Sequence, residues 1–153
     1  MIAVVQRVRS ASVTIGDSVV GKINHGLCVL ASIEAGDTDA ELKWVANKLI
    51  ALRIFADGDK AYHLDVSQVG GGVLLVSNFT VAAVTAAGRR PTFETAMKPD
   101  LARPMFDRFV AVVRDTGVPV ATGEFGADMI VQIENDGPST FIVQSPRKPE
   151  AGR

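Results

Sequence analysis

The chain has 153 residues, is 47% hydrophobic and carries a formal net charge of −1 at pH 7. This length suits one domain with a substantial core, and the hydrophobic content argues against disorder. The near-neutral charge argues against broad contact with a nucleic-acid backbone, which usually needs clustered Lys and Arg. It remains compatible with a protein that grips only the end of a nucleic acid.

Cys28 is the only cysteine, so an intrachain disulfide is excluded. It lies in the apolar run Leu27–Leu30, which favours a buried structural thiol over a nucleophile. The first residues carry a charge too early, and an apolar run too short, for a signal peptide, and no apolar stretch approaches membrane-spanning length. We therefore expect a cytoplasmic protein with no membrane partner.

The first third of the chain predicts strands joined by turns, followed by a helix. The strands are expected at residues 2–8, 12–15, 18–23 and 27–33, and the last is apolar on both faces. Thr38 and Glu41 fit a capping box, in which their side chains satisfy free amides at a helix start. Apolar residues then recur at helical spacing to about Leu52.

The remainder of the chain adds strands around a second helix. Val73–Val76 is a central strand that ends at Ser77–Thr80, and Gly88–Pro91 is an exposed loop. The second helix is expected between Asp100 and Asp115, and Pro104 must lie in its first turn or kink it. Its expected apolar face consists of Met105, Phe106, Phe109, Val110 and Val113. Three closing strands are expected at residues 120–125, 129–134 and 141–144.

This order of elements predicts an α+β fold, with two main helices packed against mixed, largely antiparallel β-sheets. Residues 1–145 are expected to form one domain. Residues 146–153 are Pro-rich, charged and without periodicity, and we expect a loose tail.

Standard catalytic groups are scarce. His25 lies in a turn, and sequence does not place His63 beside any nucleophile, as a Ser–His–Asp triad would require. His63 and Asp65 would share one face of a strand, but two ligands are too few for a zinc site. Gly70–Gly72 precedes a strand rather than a helix, so a turn or close backbone packing is favoured over a phosphate cradle.

Two polar segments remain as candidates for a site. Ser77–Thr80 follows a buried strand, where hydroxyls and freed backbone N–H groups can bind a substrate or stabilise an oxyanion; local hydroxyl-to-backbone bonds are the alternative. Asn135–Thr140 contains Gly137-Pro138, which suits an ordinary hairpin poorly because Pro lacks an N–H. This loop can present backbone carbonyls to a small substrate, or it can be a plain turn.

Together these segments resemble the D-aminoacyl-tRNA deacylase family in its bacterial and eukaryotic form. The similarity covers nearly the whole chain and includes the segments Met1–Val8, Tyr62–Val66, Gly70–Thr80, Gly88–Phe93, Gly123–Met129 and Asn135–Pro138. The usual Ser-Gln-Phe-Thr of the family is Ser77-Asn78-Phe79-Thr80 here. The residue after Gly-Pro, often Val, is Ser139.

The resemblance implies an editing hydrolase that cleaves the ester between a D-amino acid, or glycine, and the terminal adenosine of a tRNA. It implies a homodimer in which a Gly137-cisPro138 motif enters the partner's active site and excludes L side chains by steric rejection. Its partner is the tRNA acceptor end. No metal or cofactor is expected, and the ribose 2′-hydroxyl is implied to assist catalysis.

The resemblance also assigns roles to residues. Ser77, Phe79 and Thr80 are implied to be catalytic, by positioning and by backbone donors, with Thr80 as a nucleophile in a competing view. The substrate-binding set is implied to comprise Asn78, Gly137, Pro138, Phe125, Met129 and Arg7.

Several of these roles have alternatives. Phe125 and Met129 would line an adenine pocket or belong to the core. Arg7 would brace the Gly-Pro loop or form a surface salt bridge. Arg89 and Arg90 would meet phosphates near the tRNA end or do nothing specific.

Two other functions stay open at this point. A non-catalytic dimeric module that binds a nucleotide or a small amine would explain the missing side-chain base. A conventional Ser/Thr esterase would act on free esters that lack a ribose 2′-hydroxyl.

Overall fold

A computed structural model describes residues 1–146, so the predicted loose tail lies outside the described residues except for Pro146. The elements in chain order are β1 (Ile2–Ile15), β2 (Ser18–Ile23), β3 (Gly26–Ser32), α1 (Asp39–Ala51), β4 (Phe55–Asp57), β5 (Lys60–Leu64), β6 (Gly72–Ser77), a 3₁₀ turn (Phe79–Ala82), α2 (Pro99–Arg114), β7 (Val120–Thr122) and β8 (Ile130–Gln144). The predicted α+β class is confirmed.

The 14-residue strand β1 organises the main sheet. It pairs antiparallel with β3 through Ile2–Val8 and with β2 through Ala11–Ile15. The two short strands predicted at residues 2–8 and 12–15 are thus one continuous strand. Along most of its length β1 also pairs antiparallel with β8, which has no other strand partner in the described part of the chain.

The main sheet is mixed and curled. Its order is β2-β1-β3-β6-β7, and the β3–β6 and β6–β7 pairs are parallel. Strand β2 approaches β7 so closely that a Cβ on Gly21 would lie 2.2 Å from the Thr122 carbonyl oxygen. Glycine is therefore required there. The strands β4 and β5 form a separate two-stranded hairpin.

Both predicted helices are present. Thr38 caps α1, its Oγ1 accepts from the Ala40 N–H at 3.3 Å, and Glu41 Oε2 accepts from the Thr38 N–H at 2.7 Å. The predicted capping box is thus confirmed. Pro104 lies inside α2 beyond its first turn.

Two hydrophobic clusters lie on opposite faces of the main sheet. The larger one packs α1 and α2 against strand residues, and its fully buried side chains include Phe55, Leu75 and Phe109. The smaller one lies inside the curl and contains Val8, Val13, Ile23, Cys28 and Leu74. β3 is buried on both faces, as its sequence predicted, and Ser32 at its end is its only polar residue.

Two predicted strand boundaries are wrong. β7 ends at Thr122 rather than at Phe125, and residues 123–129 form a loop. The strands expected at residues 129–134 and 141–144 belong to one element, β8, which runs in a single direction along β1. The Gly-Pro segment is therefore an interruption within a strand.

Candidate active site

A cleft of about 690 Å³ opens where the parallel strands β3 and β6 end. The ends of these strands supply its floor, the start of α2 and the segment before it supply one wall, and residues 125–129 supply the other. This volume lies in the range of sites that enclose a small ligand. The lining residues that bear on function are Ser77, Asn78, Phe79, Phe93, Met97, Lys98, Phe106, Phe125, Asp128 and Met129.

The cleft walls are rich in aromatic rings. Phe79 and Phe93 meet edge to face with ring centroids 5.0 Å apart, and Phe106 and Phe125 lie 6.1 Å apart. The Arg103 guanidinium stacks over the Phe125 ring at 4.9 Å from its centroid. Such a surface offers flat, apolar faces to a planar ligand, with a cation at its rim.

The polar corner Ser77–Thr80 forms because β6 ends there. Ser77 is the last residue of β6, and Asn78 caps the 3₁₀ turn that follows. The Asn78 N–H donates to the Ala31 carbonyl at 2.8 Å, which keeps the corner attached to β3. Asn78 Oδ1 accepts from the Thr80 N–H at 3.1 Å and from the Thr80 hydroxyl at 2.5 Å.

The corner has one free backbone donor. The first N–H groups of any helical turn lack an intrahelical acceptor. Asn78 satisfies the N–H of Thr80, whereas the N–H of Phe79 has no acceptor among residues 1–146. Of the backbone donors near Phe79 and Thr80, the Thr80 N–H is thus engaged by Asn78 and the Phe79 N–H is available.

The Gly-Pro segment is a bulge of four residues in β8. Val8 of β1 is the register partner of Asn135, and Gln6 is the partner of Thr140. One residue of β1, Arg7, thus faces four residues of β8, Asp136–Ser139, which loop out. We call this segment the bulge. The Gly137–Pro138 peptide bond is cis, and both residues are exposed.

Asn135 closes the bulge at its base. Its Oδ1 accepts from the Ser139 N–H at 2.7 Å, and its Nδ2 donates to the Ser139 carbonyl at 3.2 Å. The same Nδ2 donates to Gln6 Oε1 at 2.8 Å, which ties the clamp to β1. One amide therefore joins the two ends of the bulge and fixes them to the sheet.

Arg7 supports the bulge from the neighbouring strand. Its Nε donates to the Asp136 carbonyl at 3.0 Å, and its Nη1 donates to the Ile54 carbonyl at 2.6 Å. Its side chain is 14% exposed, and the Asp136 carboxylate lies 3.6 Å from Nε. The Tyr62 ring covers the guanidinium at 5.9 Å. The predicted bracing role is thus present in the contacts.

These clamps leave two carbonyls of the bulge unused. The carbonyls of Asp136 and Ser139 are held by Arg7 and Asn135. Gly137 and Pro138 have no register partner on β1, and no side chain of residues 1–146 donates to them. The bulge therefore presents two hydrogen-bond acceptors, the carbonyls of Gly137 and Pro138, in a fixed geometry.

Gly137 is required by this geometry. Its φ is +148°, and an added Cβ would lie 2.6 Å from the Ser139 nitrogen and 2.7 Å from Ser139 Oγ. No L side chain fits there without moving the bulge.

The structure unites only part of the predicted site within one chain. Ser77, Asn78, Phe79, Phe125 and Met129 line the cleft, and Thr80 is exposed beside it. Arg7, Gly137 and Pro138 do not line it. Arg7 pairs with Leu27 on β3, whereas Ser77 pairs with Ala31. The bulge and the corner are thus four residues apart along β3, about 13 Å.

The other sequence candidates lie away from this site. His63 contacts Arg53 and lies 3.8 Å from Asp57 in the β4–β5 hairpin. Residues 1–146 contain no cluster of three or more His, Cys, Asp or Glu side chains that could hold a metal ion. Burial raises the pKa of the Cys28 thiol to about 12, which makes it a poor nucleophile.

The glycine run Gly70–Gly72 and the pair Arg89 and Arg90 both lie outside the cleft. Gly70 has a φ of +62° in a turn, and a Cβ on Gly71 would lie 3.0 Å from Val66, so the predicted turn with close packing is confirmed. Arg89 and Arg90 are exposed and do not line the cleft.

Sequence reasoning missed several contributors to the site. Phe106 appeared only as part of the apolar face of α2, although it also forms a cleft wall. Gln6 and Lys98 gave no signal at all. Gln6 acts through a cross-strand contact, which depends on register, and Lys98 lies on the cleft because α2 starts there.

The sequence matches known proteins over almost its full length. The profile of the family described as D-Tyr-tRNA(Tyr) deacylase matches residues 4–144. A D-aminoacyl-tRNA deacylase of Geobacter metallireducens is 48% identical over 96% of this chain and 97% of its own length. One of Chlorobaculum parvum is 49% identical over 97% of this chain and 100% of its own.

Two solved structures share the fold. A c-Myc DNA unwinding element binding protein superposes with a TM-score of 0.91 at 37% identity, over 96% of this chain and 100% of its own. A probable eukaryotic D-amino acid tRNA deacylase superposes with a TM-score of 0.76 at 18% identity, over 93% and 98%. No helix within residues 1–146 is long and apolar enough to span a membrane.

Proposed function

The chain belongs to the D-Tyr-tRNA(Tyr) deacylase family, and from this premise we propose that it hydrolyses the ester between a D-amino acid and the terminal adenosine of a tRNA. The observation that carries the proposal is the pairing of complementary groups. The corner offers the N–H donor of Phe79, and the bulge offers the carbonyl acceptors of Gly137 and Pro138. An aminoacyl ester has one carbonyl to receive a donor and one ammonium to receive acceptors.

The cleft suits the adenosine end of this substrate. Its volume of about 690 Å³ accommodates a nucleoside with part of its aminoacyl group. The rings of Phe125 and Phe79 provide faces on which a base can stack. Phe125 and Met129 therefore take the adenine-lining role, and they pack against the core at the same time.

We propose a homodimer as the active form. Within one chain the bulge does not line the cleft and is offset from the corner by about 13 Å along β3, and we infer that a second copy brings its acceptors to the cleft. β8 is an edge strand with exposed Ile130 and Ile142, 67% and 72% exposed, which suits burial against another protomer. In this assembly the bulge of each protomer enters the partner's cleft.

Chiral selection then follows from sterics. Rigid carbonyls that hold the substrate ammonium fix the α-carbon, and an L side chain would point into the bulge. A D side chain points away from it, and glycine has no side chain to exclude. The filter thus rejects L substrates, accepts many D side chains and admits glycyl-tRNA.

Catalysis by this site uses few protein groups. The Phe79 N–H stabilises the developing oxyanion. No side chain beside Thr80 acts as a base, since its hydroxyl bonds to an amide oxygen. The ribose 2′-hydroxyl of the substrate assists the attacking water instead, and the protein positions the ester.

Matched D- and L-tyrosyl-tRNA test this function directly. We expect amino acid release from the D form and at least about 100-fold less from the L form. Binding without release from either form would favour the non-catalytic module. Equal hydrolysis of an ester that lacks the ribose 2′-hydroxyl would favour a conventional Ser/Thr esterase.

A Thr80→Ala substitution tests the competing nucleophile role. A positioning role predicts a partial loss of kcat, on the order of tenfold, whereas a nucleophile predicts near-complete loss with binding intact.

The name of the 37% identical structure refers to DNA binding. The net charge of −1 does not favour DNA binding as a function of this chain.

A further inference from the structure

We propose that Asn78 is a positioning residue that engages both protons of Thr80, so that Thr80 faces the substrate only as an acceptor and Phe79 supplies the single backbone donor of the corner. The inference rests on the proposed function for its consequence in catalysis. Its structural part concerns Asn78 alone, and it can be tested without any substrate.

The hydrogen bonds define the direction of each proton. A backbone N–H can only donate, so the Asn78 side-chain atom 3.1 Å from the Thr80 nitrogen must be the oxygen. An amide oxygen carries no proton, so the contact of 2.5 Å to Thr80 Oγ1 requires the hydroxyl to donate. Both protons of Thr80 are thereby directed at one oxygen.

This arrangement decides what Thr80 can do. With its proton engaged, Oγ1 offers lone pairs to an ammonium or to the attacking water, and it has no donor for an oxyanion. An amide oxygen is too weakly basic to remove the hydroxyl proton, so Asn78 does not activate Thr80 as a nucleophile. The Phe79 N–H, which has no acceptor among residues 1–146, remains for the ester carbonyl.

The length of the side chain matters for this contact. Asn78 reaches the N–H two residues ahead, as short capping side chains do. The resemblance implies Gln as the usual residue here, and Gln is one methylene longer. We therefore expect Asn78→Gln to weaken the contact with Thr80.

Amide hydrogen exchange measured by NMR tests the contact in the free protein. We expect the Thr80 amide to exchange at least tenfold more slowly than the Phe79 amide. In Asn78→Ala this difference should vanish, and in Asn78→Asp, which keeps an acceptor at the same place, it should persist. Equal exchange rates for the two amides in the unmodified chain would overturn the proposal.

A substrate analogue separates this inference from the proposed function. With D-tyrosyl-adenosine in which an amide replaces the ester, we expect the Phe79 amide to become protected and the Thr80 amide to stay unchanged. A response of Thr80 without Phe79 would overturn the role of Asn78. If neither responds, the proposed substrate is wrong, and exchange in the free protein still decides the role of Asn78.

Kinetics on D-tyrosyl-tRNA provide the functional arm. We expect Asn78→Ala to lower kcat about tenfold with KM changed less than twofold, because the lost interaction concerns orientation. Thr80→Val should act similarly, and the double variant should be no worse than the worse single variant. Fully additive losses would contradict a joint role.

A second cap controls for simple destabilisation. Thr38 caps α1 and does not line the cleft, so Thr38→Ala should lower the melting temperature and leave kcat unchanged. If Asn78→Ala lowers the melting temperature as much as Thr38→Ala and leaves kcat equally unchanged, Asn78 is only a cap and the proposal fails.

Discussion

The corner and the bulge present opposite kinds of hydrogen-bonding group, and different contacts hold each of them in place. The corner presents a donor, the Phe79 N–H, and is held by the Asn78 side chain, which bonds to the N–H of Thr80 two residues ahead. The bulge presents acceptors, the carbonyls of Gly137 and Pro138, and is held by Asn135 and by Arg7, which is remote in sequence. The start of any helical turn leaves N–H donors unpaired, whereas unpaired carbonyls in a fixed position need contacts from more than one strand to hold them. The bulge is therefore the more vulnerable half.

The largest expected effect is at Gly137. Gly137→Ala places a Cβ 2.6 Å from the Ser139 nitrogen, so the bulge must move. A displacement of about 1 Å can cost about 100-fold in rate. We expect at least that loss of kcat/KM on D-tyrosyl-tRNA, measured by release of amino acid.

Gly16→Ala is the matched control. Gly16 also has a positive φ, +56°, but a Cβ there would meet nothing within 4 Å. This variant should lose some thermal stability and keep its activity. A Gly137→Ala protein as active as Gly16→Ala would show that the bulge does not act in the reaction.

The second largest effect is expected at Asn135. Asn135→Ala removes the bonds that close the bulge, so the two carbonyls lose their fixed direction. Stability should fall by about 1–3 kcal/mol, because Ser139 and Gln6 lose partners. The ratio of D to L hydrolysis should fall about tenfold, which competition between D- and L-tyrosyl-tRNA measures. An unchanged ratio would mean that the filter lies elsewhere.

A smaller effect is expected at Arg7. Lysine cannot bond to the Asp136 and Ile54 carbonyls together in the way a guanidinium does. Arg7→Lys should lower kcat/KM on the order of fivefold, while Arg9→Lys should have little effect because Arg9 is mostly exposed at 72%. Equal effects of the two variants would point to charge rather than geometry.

The smallest effect on activity is expected at Thr38. Thr38→Ala removes one cap from α1 and should cost about 0.5–2 kcal/mol of unfolding free energy. Denaturant titration measures the loss, and kcat should be unchanged. A loss of activity here would show that the cleft depends on α1.

Local signals in the sequence predicted the elements well. The capping box at Thr38, the doubly buried strand β3 and the apolar face of α2 depend on residues close in sequence, and each is present. Their physical causes act over one or two turns. The α+β class followed from the order of these elements.

Long-range features could not be predicted this way. The strand β8 looked like two strands because Asp136–Ser139 has the composition of a turn, and only pairing with β1 shows that the chain continues in one direction. The cleft joins four separate segments, so its wall at Phe106 and Lys98 depends on packing. The links from Gln6 to Asn135 and from Arg7 to Asp136 depend on register.

Phe106 and Phe125 serve two surfaces at once. Both rings line the cleft, and both pack into or against the larger hydrophobic cluster. A substitution at either position therefore changes both the stability of the fold and the affinity for a ligand, so few substitutions are compatible with both. A small-molecule occupant of the cleft should correspondingly raise the melting temperature, by linkage with the interior it touches.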